Sequence, residues 1–246
     1  MTKSEKKESW WGELKGLMWA VIVALIIRSV AIEPYNIPSS SMVPTLLVGD
    51  YIVVTKYDYG YSRHSFPFSL PLIPTGRIFE SAPDRGDIVI FKVPTDNRTD
   101  YIKRVIGLPG DTIQMVNGRL LINGQMMERR KIGEEDWEVE QAGLVHYTKY
   151  RETLPNGVKH LIYEQSDTKE QDNTDPFVVP DGHYFMMGDN RDNSMDSRFF
   201  GFVPAENLEG KARFIFYSNN GTGDLWQFWK WGDSLRLERF FEGLYK

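Results

Sequence analysis

The chain has 246 residues, of which 41% are hydrophobic and 26% are charged, and its 29 basic and 34 acidic side chains give a formal net charge of −5. These fractions are typical of a globular protein and exclude a disordered, collagen-like or coiled-coil chain, and the lack of a basic excess argues against nucleic acid as a partner. The absence of cysteine excludes disulfides, thiolate catalysis and every cysteine-based metal site.

The first strong signal is an apolar segment near the N-terminus. Residues 16–32 have only Arg28 and Ser29 as polar positions, and this length is the lower limit for a helix that spans a bilayer. Four lysines precede the segment, at Lys3, Lys6, Lys7 and Lys15. Because positive flanks stay on the cytoplasmic side, we predict a cytoplasmic tail over 1–15, a transmembrane anchor over 16–32 and an exported remainder.

The same segment also has the features of a cleavable secretory signal. A basic region precedes an apolar run over 16–27, and Ser29-Val30-Ala31 is a small-residue sequence of the kind that is cleaved. A retained anchor is the favoured interpretation, because a sequence pattern described below continues across this potential cleavage point. Both interpretations export the bulk of the chain.

After the anchor, the sequence is typical of β structure. Short runs rich in β-branched and aromatic residues are bounded by Gly, Pro or Asp; they cover 51–55, 87–93, 101–106, 184–187 and 212–218. Asn117-Gly118, between 112–116 and 119–122, predicts a hairpin with a type I′ turn. No long segment beyond the anchor has a helical period. The predicted fold class is therefore mainly β, with a single N-terminal transmembrane helix followed by an exported all-β domain that carries an inserted β subdomain.

Composition divides the exported part into a core, an insert and a tail. We assign the β core to 33–127 and 182–224, and the charge-rich, weakly alternating stretch 128–181 to the inserted subdomain. A proline-containing excursion over 62–85 is predicted to have little regular structure. The C-terminal segment 225–246 is rich in aromatic residues, and it is predicted either to lie at the lipid interface or to pack on the core.

Metal-binding patterns are weak in this sequence. The four histidines form no HExxH motif and no ligand-spaced pair. Asp192, Ser194 and Asp196 have the spacing of a calcium loop, but Ser197 and Val203 stand where an EF-hand needs glycine and glutamate. We therefore expect no metal and no cofactor.

Three polar segments remain as candidates for chemistry. One is the serine run 39–41, and another is the loop 188–198, which is dense in hydrogen-bonding groups. The third is Lys103, which the period of a strand places on one face with Tyr101 and Val105. A lysine there either discourages edge-to-edge aggregation or, held against apolar neighbours, loses its proton and becomes a base.

Together these segments resemble bacterial type I signal peptidase, the membrane-bound leader peptidase. The family's motifs are matched by 37–46 (serine box), 101–111 (lysine box) and 188–198 (late box), and further matches are Arg28-Ser29 before Glu33-Pro34, Gly49-Asp50 and 85–91. The matches follow the family's order along the chain. Ser40 replaces the glycine that the family usually has between its two serines, and only one anchor is present, as in many members.

The resemblance implies a serine–lysine dyad. Ser41 would be the nucleophile and Lys103 the general base, an alternative to the histidine-based triad. A hydroxyl nucleophile needs a nearby base, and no histidine occupies a matching position. The Ser39 hydroxyl and the Ser41 backbone N–H would form the oxyanion hole, which requires fixed donors aimed at the developing charge.

The resemblance also assigns supporting and substrate-contacting residues. Ser194 would orient the Lys103 amine, Asp196 and Arg198 would form a supporting ion pair, and Asp189 and Arg191 would be structural members of the same box. The residues implied for shallow substrate pockets are Tyr35, Ile37, Pro38, Met42, Leu46, Tyr101 and Ile102. Each of these is equally well explained, taken singly, as ordinary core.

The implied function is a membrane-bound serine endopeptidase that removes signal peptides from exported precursors by cleaving after small residues. The implied location is the outer, periplasmic face of the cytoplasmic membrane, with the signal peptide, the lipid bilayer and a nearby secretion translocon as partners. The substrate strand is predicted to add to an exposed edge beside 101–103. Two alternatives remain: a related serine–lysine peptidase with one dedicated substrate, and a membrane-anchored binding module, which leaves Ser41 and Lys103 unexplained.

Overall fold

The structure is a computed structural model that describes residues 3–66, 73, 75–139, 143–221 and 231–245. Helix α1 (Lys3–Val30) precedes the first strand. Among the described residues, no helix combines the length and the apolarity that crossing a membrane requires. The anchor over 16–32 stays a prediction.

The rest of the described chain is built mainly from strands, which confirms the predicted mainly-β class. The strands are β1 (Ile32–Asn36), β2 (Asp50–Thr55), β3 (Ile88–Lys92), β4 (Asp100–Gly107), β5 (Thr112–Val116), β6 (Arg119–Ile122), β7 (Gln125–Met126), β8 (Glu128–Val139), β9 (Gly143–Thr153), β10 (Lys159–Glu164), β11 (Phe177–Val178), β12 (His183–Met187), β13 (Val203–Pro204), β14 (Leu208–Ser218) and β15 (Glu242–Gly243). After α1, the described helices α2 (Ser197–Phe200) and α3 (Trp231–Ser234) are single turns.

The main sheet has the strand order β1-β2-β14-β3-β4-β12-β13, and β15 pairs with β14. Its central strand β3 is buried on both faces, since Ile88 and Ile90 belong to one apolar cluster while Val89 and Phe91 belong to another. This explains why β3 is a continuous apolar run and not an alternating one. The two clusters fix the position of β4, the neighbouring strand, which carries Lys103.

A second sheet, of order β11-β5-β6-β7, contains the predicted hairpin. Strands β5 and β6 have the predicted bounds, and the φ angles of Asn117 and Gly118 are +47° and +68°. Positive φ at both central residues defines a type I′ turn. The hairpin prediction is confirmed.

A third sheet, of order β10-β9-β8, covers most of the stretch between the two core segments. At the beginning of β9 the side chains are exposed to solvent, and Leu144 is 73% exposed. The buried side chains of this sheet are concentrated in β10, where Ile162 and Tyr163 are fully covered. This distribution explains the weak hydrophobic alternation of the sequence, because only part of the sheet packs on a core.

Two predicted irregular segments lie partly outside the described residues. In the excursion 62–85, a 3₁₀ turn at Arg63–Ser65 and a bridge between Tyr61 and Ile78 are described. In the C-terminal segment, Trp226, Phe228 and Trp229 lie outside the described residues. The ring centroids of Phe240 and Tyr217, however, are 5.5 Å apart, so the described end of the tail packs on β14.

Candidate active site

Ser41 and Lys103 meet in the space between the serine run and strand β4. Ser41 Oγ lies 2.7 Å from Lys103 Nζ, and the two residues are only 7% and 4% exposed. The Lys103 amine makes a second hydrogen bond, of 3.0 Å, to the carbonyl oxygen of Ile102. A hydroxyl and an amine held at this distance have the geometry of a nucleophile and its base.

The serine run is held by apolar anchors on both sides. Ile37 precedes it, and Met42 and Leu46 follow it, and all three belong to the same core cluster. The backbone N–H of Ile37 donates to Asp50 O at 2.8 Å, and the N–H of Gly49 donates to Ile37 O at 3.0 Å, which closes the loop at its base. Ser41 is therefore fixed by the packing of its neighbours.

The surroundings of Lys103 favour its neutral form. Burial is the main cause that lowers the pKa of the Lys103 amine to about 8; Arg198 acts in the same direction, and the carboxylates of Asp196 and Asp189 act in the opposite direction. Among the described residues, no carboxylate forms an ion pair with Lys103. The amine is consequently able to accept a proton in the pH range in which an unperturbed lysine is fully charged.

The loop that follows β12 forms the third side of the site and is tied together internally. Arg198 Nη2 donates to Asp196 Oδ2 at 2.8 Å and to the carbonyl oxygen of Arg191 at 2.5 Å, and Gly188 N donates to the same Asp196 oxygen at 3.0 Å. Burial opposes ionisation of Asp196, but Arg198 holds its pKa below the ordinary value. The Asp196–Arg198 ion pair implied by the resemblance is thus present, and its role in support of the dyad stays a prediction.

Gly188 allows this loop to approach the serine run. A Cβ at this position would lie 2.5 Å from the carbonyl oxygen of Ser41 and 2.2 Å from Ser194 Oγ. Both distances are far below van der Waals contact, so any larger residue at position 188 would displace the loop or Ser41.

Ser194 is buried beside Ser41 but does not contact the Lys103 amine. Its Oγ has no hydrogen-bond partner in the part of the chain that the structure describes. The implied contact between Ser194 and Lys103 is therefore not formed, because the Lys103 amine turns back to the carbonyl of its own strand.

Asp189 and Arg191 connect the late loop to two other parts of the fold. Asp189 accepts from Arg104 Nε at 2.8 Å and from Nη2 at 2.6 Å, and Arg191 forms a double hydrogen bond with Glu152 of β9. Burial opposes the ionisation of Asp189, but Arg104 holds the pKa of that carboxyl below its ordinary value. These two buried pairs fix the start of the loop against β4 and against the three-stranded sheet.

Ser40, at the position where the resemblance implies glycine, makes a side-chain contact with the late loop. Asn193 Nδ2 donates to Ser40 Oγ at 2.8 Å. Asn190 adds two further bonds of 3.1 Å, from Nδ2 to Ser40 O and from its backbone N–H to Ser41 O. The serine run and the late loop are thereby joined by these three hydrogen bonds around Ser41.

Several of these positioning residues were not predicted from the sequence. Arg104 and Glu152 had no assigned role, and the two asparagines were only unnamed members of the late box. The role of Arg104 could have been inferred from the sequence, because an arginine within an apolar strand is rarely buried without a carboxylate partner. The role of Glu152 could not, because its partner Arg191 is 39 positions away in the chain.

A cavity of about 520 Å³ opens beside the dyad. The predicted pocket residues that line it are Tyr35, Ile37, Pro38, Tyr101 and Ile102. Met42 and Leu46 do not line it, because both are fully covered in the core beneath the serine run. The cavity is therefore bounded by the serine run on one side and by the beginning of β4 on the other.

We expect Ser39→Ala to lower kcat roughly 10²–10³-fold, because it removes one hydrogen-bond donor to the oxyanion. Ser39 Oγ lies 3.4 Å from Ser41 Oγ on the solvent-exposed side of the nucleophile. Steady-state cleavage of a precursor measures the effect, with the exposed Ser81→Ala as the matched control. A kcat within a few-fold of the wild-type value would exclude an oxyanion role for this hydroxyl.

Comparison with known proteins gives a consistent family assignment. The family model described as signal peptidase, peptidase S26, matches residues 10–217. The signal peptidase I of Rickettsia conorii is 42% identical over 99% of this chain and 97% of the relative, and that of Rickettsia akari is 41% identical over 99% and 95%. A crystal structure of a signal peptidase I from Enterococcus faecalis V583 is 29% identical, covers 53% of this chain and 97% of that one, and has a TM-score of 0.32. Because the family model matches most of the sequence and the two Rickettsia relatives align over nearly its whole length, the chain belongs to the signal peptidase family, peptidase S26.

Proposed function

We propose that this serine endopeptidase of the signal peptidase I type removes signal peptides with Ser41 as its nucleophile and Lys103 as its general base. The observation that carries the proposal is the 2.7 Å contact between Ser41 Oγ and Lys103 Nζ in a buried site. The lowered pKa of the lysine supports it, because a base has to be neutral before it accepts a proton.

The chemistry follows from the positions of the side chains. Neutral Lys103 takes the proton of Ser41 Oγ as this oxygen attacks the scissile carbonyl carbon. The Ser39 hydroxyl and the Ser41 backbone N–H donate to the resulting oxyanion. The Lys103 ammonium then gives its proton to the leaving amine, and an acyl-enzyme ester on Ser41 remains. In the second half, Lys103 takes a proton from the water that attacks the ester carbon. The bond between this carbon and Ser41 Oγ then breaks, the acid product leaves, and the Lys103 ammonium returns its proton to Ser41 Oγ.

The open edge of β4 favours binding of the substrate as an added strand. Strand β3 pairs with residues 100–104 of β4, whereas β12 pairs with β4 only from Arg104 onward. Among the described strands, none pairs with residues 101–103 on the side of β4 that lies away from β3. A precursor segment bound there gains main-chain hydrogen bonds with little demand on sequence, and we propose that the adjoining pockets accept small side chains.

The start of the exported part supports cleavage beside the membrane. Glu33 of β1 is buried and forms ion pairs with Arg28 of α1 and with Lys56 Nζ at 2.8 Å. Ser41 is only nine residues beyond Ile32, the end of the predicted anchor. We propose a single-pass anchor in the cytoplasmic membrane, with the N-terminus in the cytoplasm and the site at the periplasmic surface near the translocon. Such anchoring raises the effective concentration of a membrane-bound signal peptide.

The test of this function is cleavage of several unrelated precursors by the full-length protein in phospholipid vesicles. Mass spectrometry of the products is expected to show one cut in each precursor, directly after its signal peptide and after a small residue. Cleavage of a single precursor would indicate a peptidase with one dedicated substrate, and no cleavage of any precursor would leave only a binding function.

A topology experiment tests the anchor separately. Protease added outside spheroplasts is expected to degrade the part of the chain after Glu33 while a cytoplasmic marker protein stays intact, since the basic flank holds the N-terminus inside. N-terminal sequencing of the mature protein is expected to show that it begins at or near Met1. An N-terminus at Ile32 would instead identify Ser29-Val30-Ala31 as a cleaved signal.

A further inference from the structure

Three carboxylates converge on the side of the late loop that faces the three-stranded sheet. Glu164 ends β10, Asp172 ends the 3₁₀ turn Glu170–Asp172, and Asp192 lies in the 3₁₀ turn Arg191–Asn193. One oxygen atom from each residue lies within 4.8 Å of the other two. None of these residues belongs to the proposed dyad or to the cavity beside it.

The burial of Glu164 distinguishes this cluster from an acidic patch on the protein surface. It is 2% exposed, and neither of its carboxylate oxygens accepts a hydrogen bond from the described residues. Asp172 is 1% exposed, and its Oδ1 also has no hydrogen-bond partner there. Buried carboxylate oxygens without partners are costly and rare in folded proteins, and a bound cation is one of the few ways to satisfy them.

The arginines around the cluster are already paired with other carboxylates. Arg191 is paired with Glu152, Arg198 with Asp196, and Arg129 with Asp167. The shortest contact from these guanidinium groups to the cluster joins Arg129 Nη1 and Glu164 Oε1 over 3.6 Å, which is beyond hydrogen-bond distance. The three carboxylates are thus left with an excess of negative charge.

The second oxygens of the two aspartates hold their carboxylates in place. Asp192 Oδ2 accepts from the backbone N–H of Gln165 at 2.6 Å and of Ser166 at 3.1 Å. Asp172 Oδ2 accepts from the backbone N–H of Lys169 at 2.6 Å. Each aspartate is oriented by the main chain through one oxygen, so the other oxygen remains for a ligand.

We propose that Glu164, Asp172 and Asp192 bind one calcium ion. An all-oxygen set of ligands suits a hard divalent cation and does not suit zinc. Oxygens on opposite sides of Ca²⁺ lie up to about 5 Å apart, since each is 2.3–2.6 Å from the ion, whereas around Mg²⁺ the limit is about 4.2 Å. The three oxygens lie within 4.8 Å of one another, which fits the calcium range. Three protein carboxylates on one ion favour calcium, because Mg²⁺ is usually held by only one or two carboxylates and keeps several waters.

The site differs from the EF-hand pattern considered for this loop. An EF-hand would take Asp192, Ser194 and Asp196 from one contiguous segment, whereas these three ligands come from separate segments. The bound ion would tie the end of β10 to the loop that carries Ser194 and Asp196. Its expected effect is thus to stabilise the late loop without entering the reaction.

Calcium binding by the full-length protein in detergent tests the site without reference to cleavage. After treatment with a chelator and removal of the chelator, isothermal titration with CaCl₂ alone is expected to show one saturable site with a Kd at or below about 1 mM, a range typical of extracellular calcium modules. Calcium is also expected to raise the melting temperature by several degrees, because the ion binds only the folded state. Binding of Mg²⁺ more tightly than Ca²⁺ would contradict the choice of ion.

Variants decide whether these residues form the site. Glu164→Gln and Asp172→Asn are expected to lose saturable binding and the calcium-dependent rise in melting temperature, while the exposed Asp181→Asn keeps both. Asp192→Asn, at a less buried position, gives the same test if a buried variant fails to fold.

The main rival is a protonated Glu164, since burial raises the pKa of this carboxyl well above its ordinary value. A neutral carboxyl predicts that Glu164→Gln melts at the wild-type temperature and that calcium changes neither melting temperature. This result, or unchanged calcium binding in the variants, would overturn the proposal.

Discussion

Removal of the Lys103 amine or of the Ser41 hydroxyl is expected to lower kcat for precursor cleavage by at least about 10⁴-fold, because nucleophile and base act as one unit. Lys103→Ala and Ser41→Ala remove the groups, and Lys103→Met removes the amine while it keeps most of the buried side-chain volume. The double variant is expected to be no less active than either single variant, since either change alone already abolishes the proton transfer.

The measurement is single-turnover cleavage of a purified precursor, with circular dichroism to show that each variant is folded. The exposed Lys159→Ala and Ser81→Ala serve as controls and are expected to keep wild-type rates. Retention of more than about one hundredth of the wild-type kcat by a folded Ser41 or Lys103 variant would exclude the dyad.

Arg104→Met is expected to reduce the free energy of unfolding by about 3–5 kcal/mol, because it leaves the Asp189 carboxylate buried without its partner. The pair is almost completely covered, with two hydrogen bonds of 2.6 and 2.8 Å. Lys131→Met, which removes the exposed ion pair with Glu134, is the matched control and is expected to cost at most about 1 kcal/mol. Urea denaturation at neutral pH measures both changes.

The loss in the free energy of unfolding caused by Arg104→Met is expected to depend on pH in one direction. Arg104 holds the pKa of Asp189 in the folded protein below its ordinary value. The ion pair therefore stabilises the fold at any pH above the pKa of Asp189 in the unfolded chain. This stabilisation is lost as the pH falls through the lower pKa of Asp189 in the folded protein. The difference between the wild type and Arg104→Met is therefore expected to shrink below about pH 4. A difference that is small at neutral pH would mean that the late loop is not held by this pair.

The parts of the fold that could be predicted are those set by local chemistry. The hairpin of β5 and β6 follows from Asn117-Gly118, because few other residue pairs adopt two successive positive φ angles. The lengths of β8 and β9 were not predictable. These strands pair with each other and are largely exposed, so their stability depends on cross-strand hydrogen bonds and not on an apolar face.

The candidate site likewise contains residues that could be predicted from the sequence and residues that could not. Ser41 and Lys103 were recognisable because the chemistry depends on what they are and on the motifs around them. Alternation correctly separates Arg104 from Lys103, but it does not reveal that Arg104 reaches Asp189, which is 85 positions further along the chain. Partners this distant are brought together only by the folded sheet.

Packing separates two of the predicted pocket residues from the cavity. Met42 is an apolar residue within the serine box, and the resemblance placed it against the substrate together with Leu46. Both side chains are instead fully covered and anchor the loop from below. A motif specifies which residue types occur near the nucleophile, whereas only packing decides which of them face the cavity.

The pH dependence of kcat/KM tests the role of Lys103 most directly. In the proposed mechanism the neutral amine is the active form, and burial lowers the pKa of this amine to about 8. We therefore expect kcat/KM to rise with pH through an apparent pKa near 8, well below the value of about 10.4 for an unperturbed lysine. Lys103→Arg is expected to be inactive at every pH, because a guanidinium keeps its proton throughout this range. A flat profile between pH 6 and about 10, or an active arginine variant, would show that Lys103 is not the base.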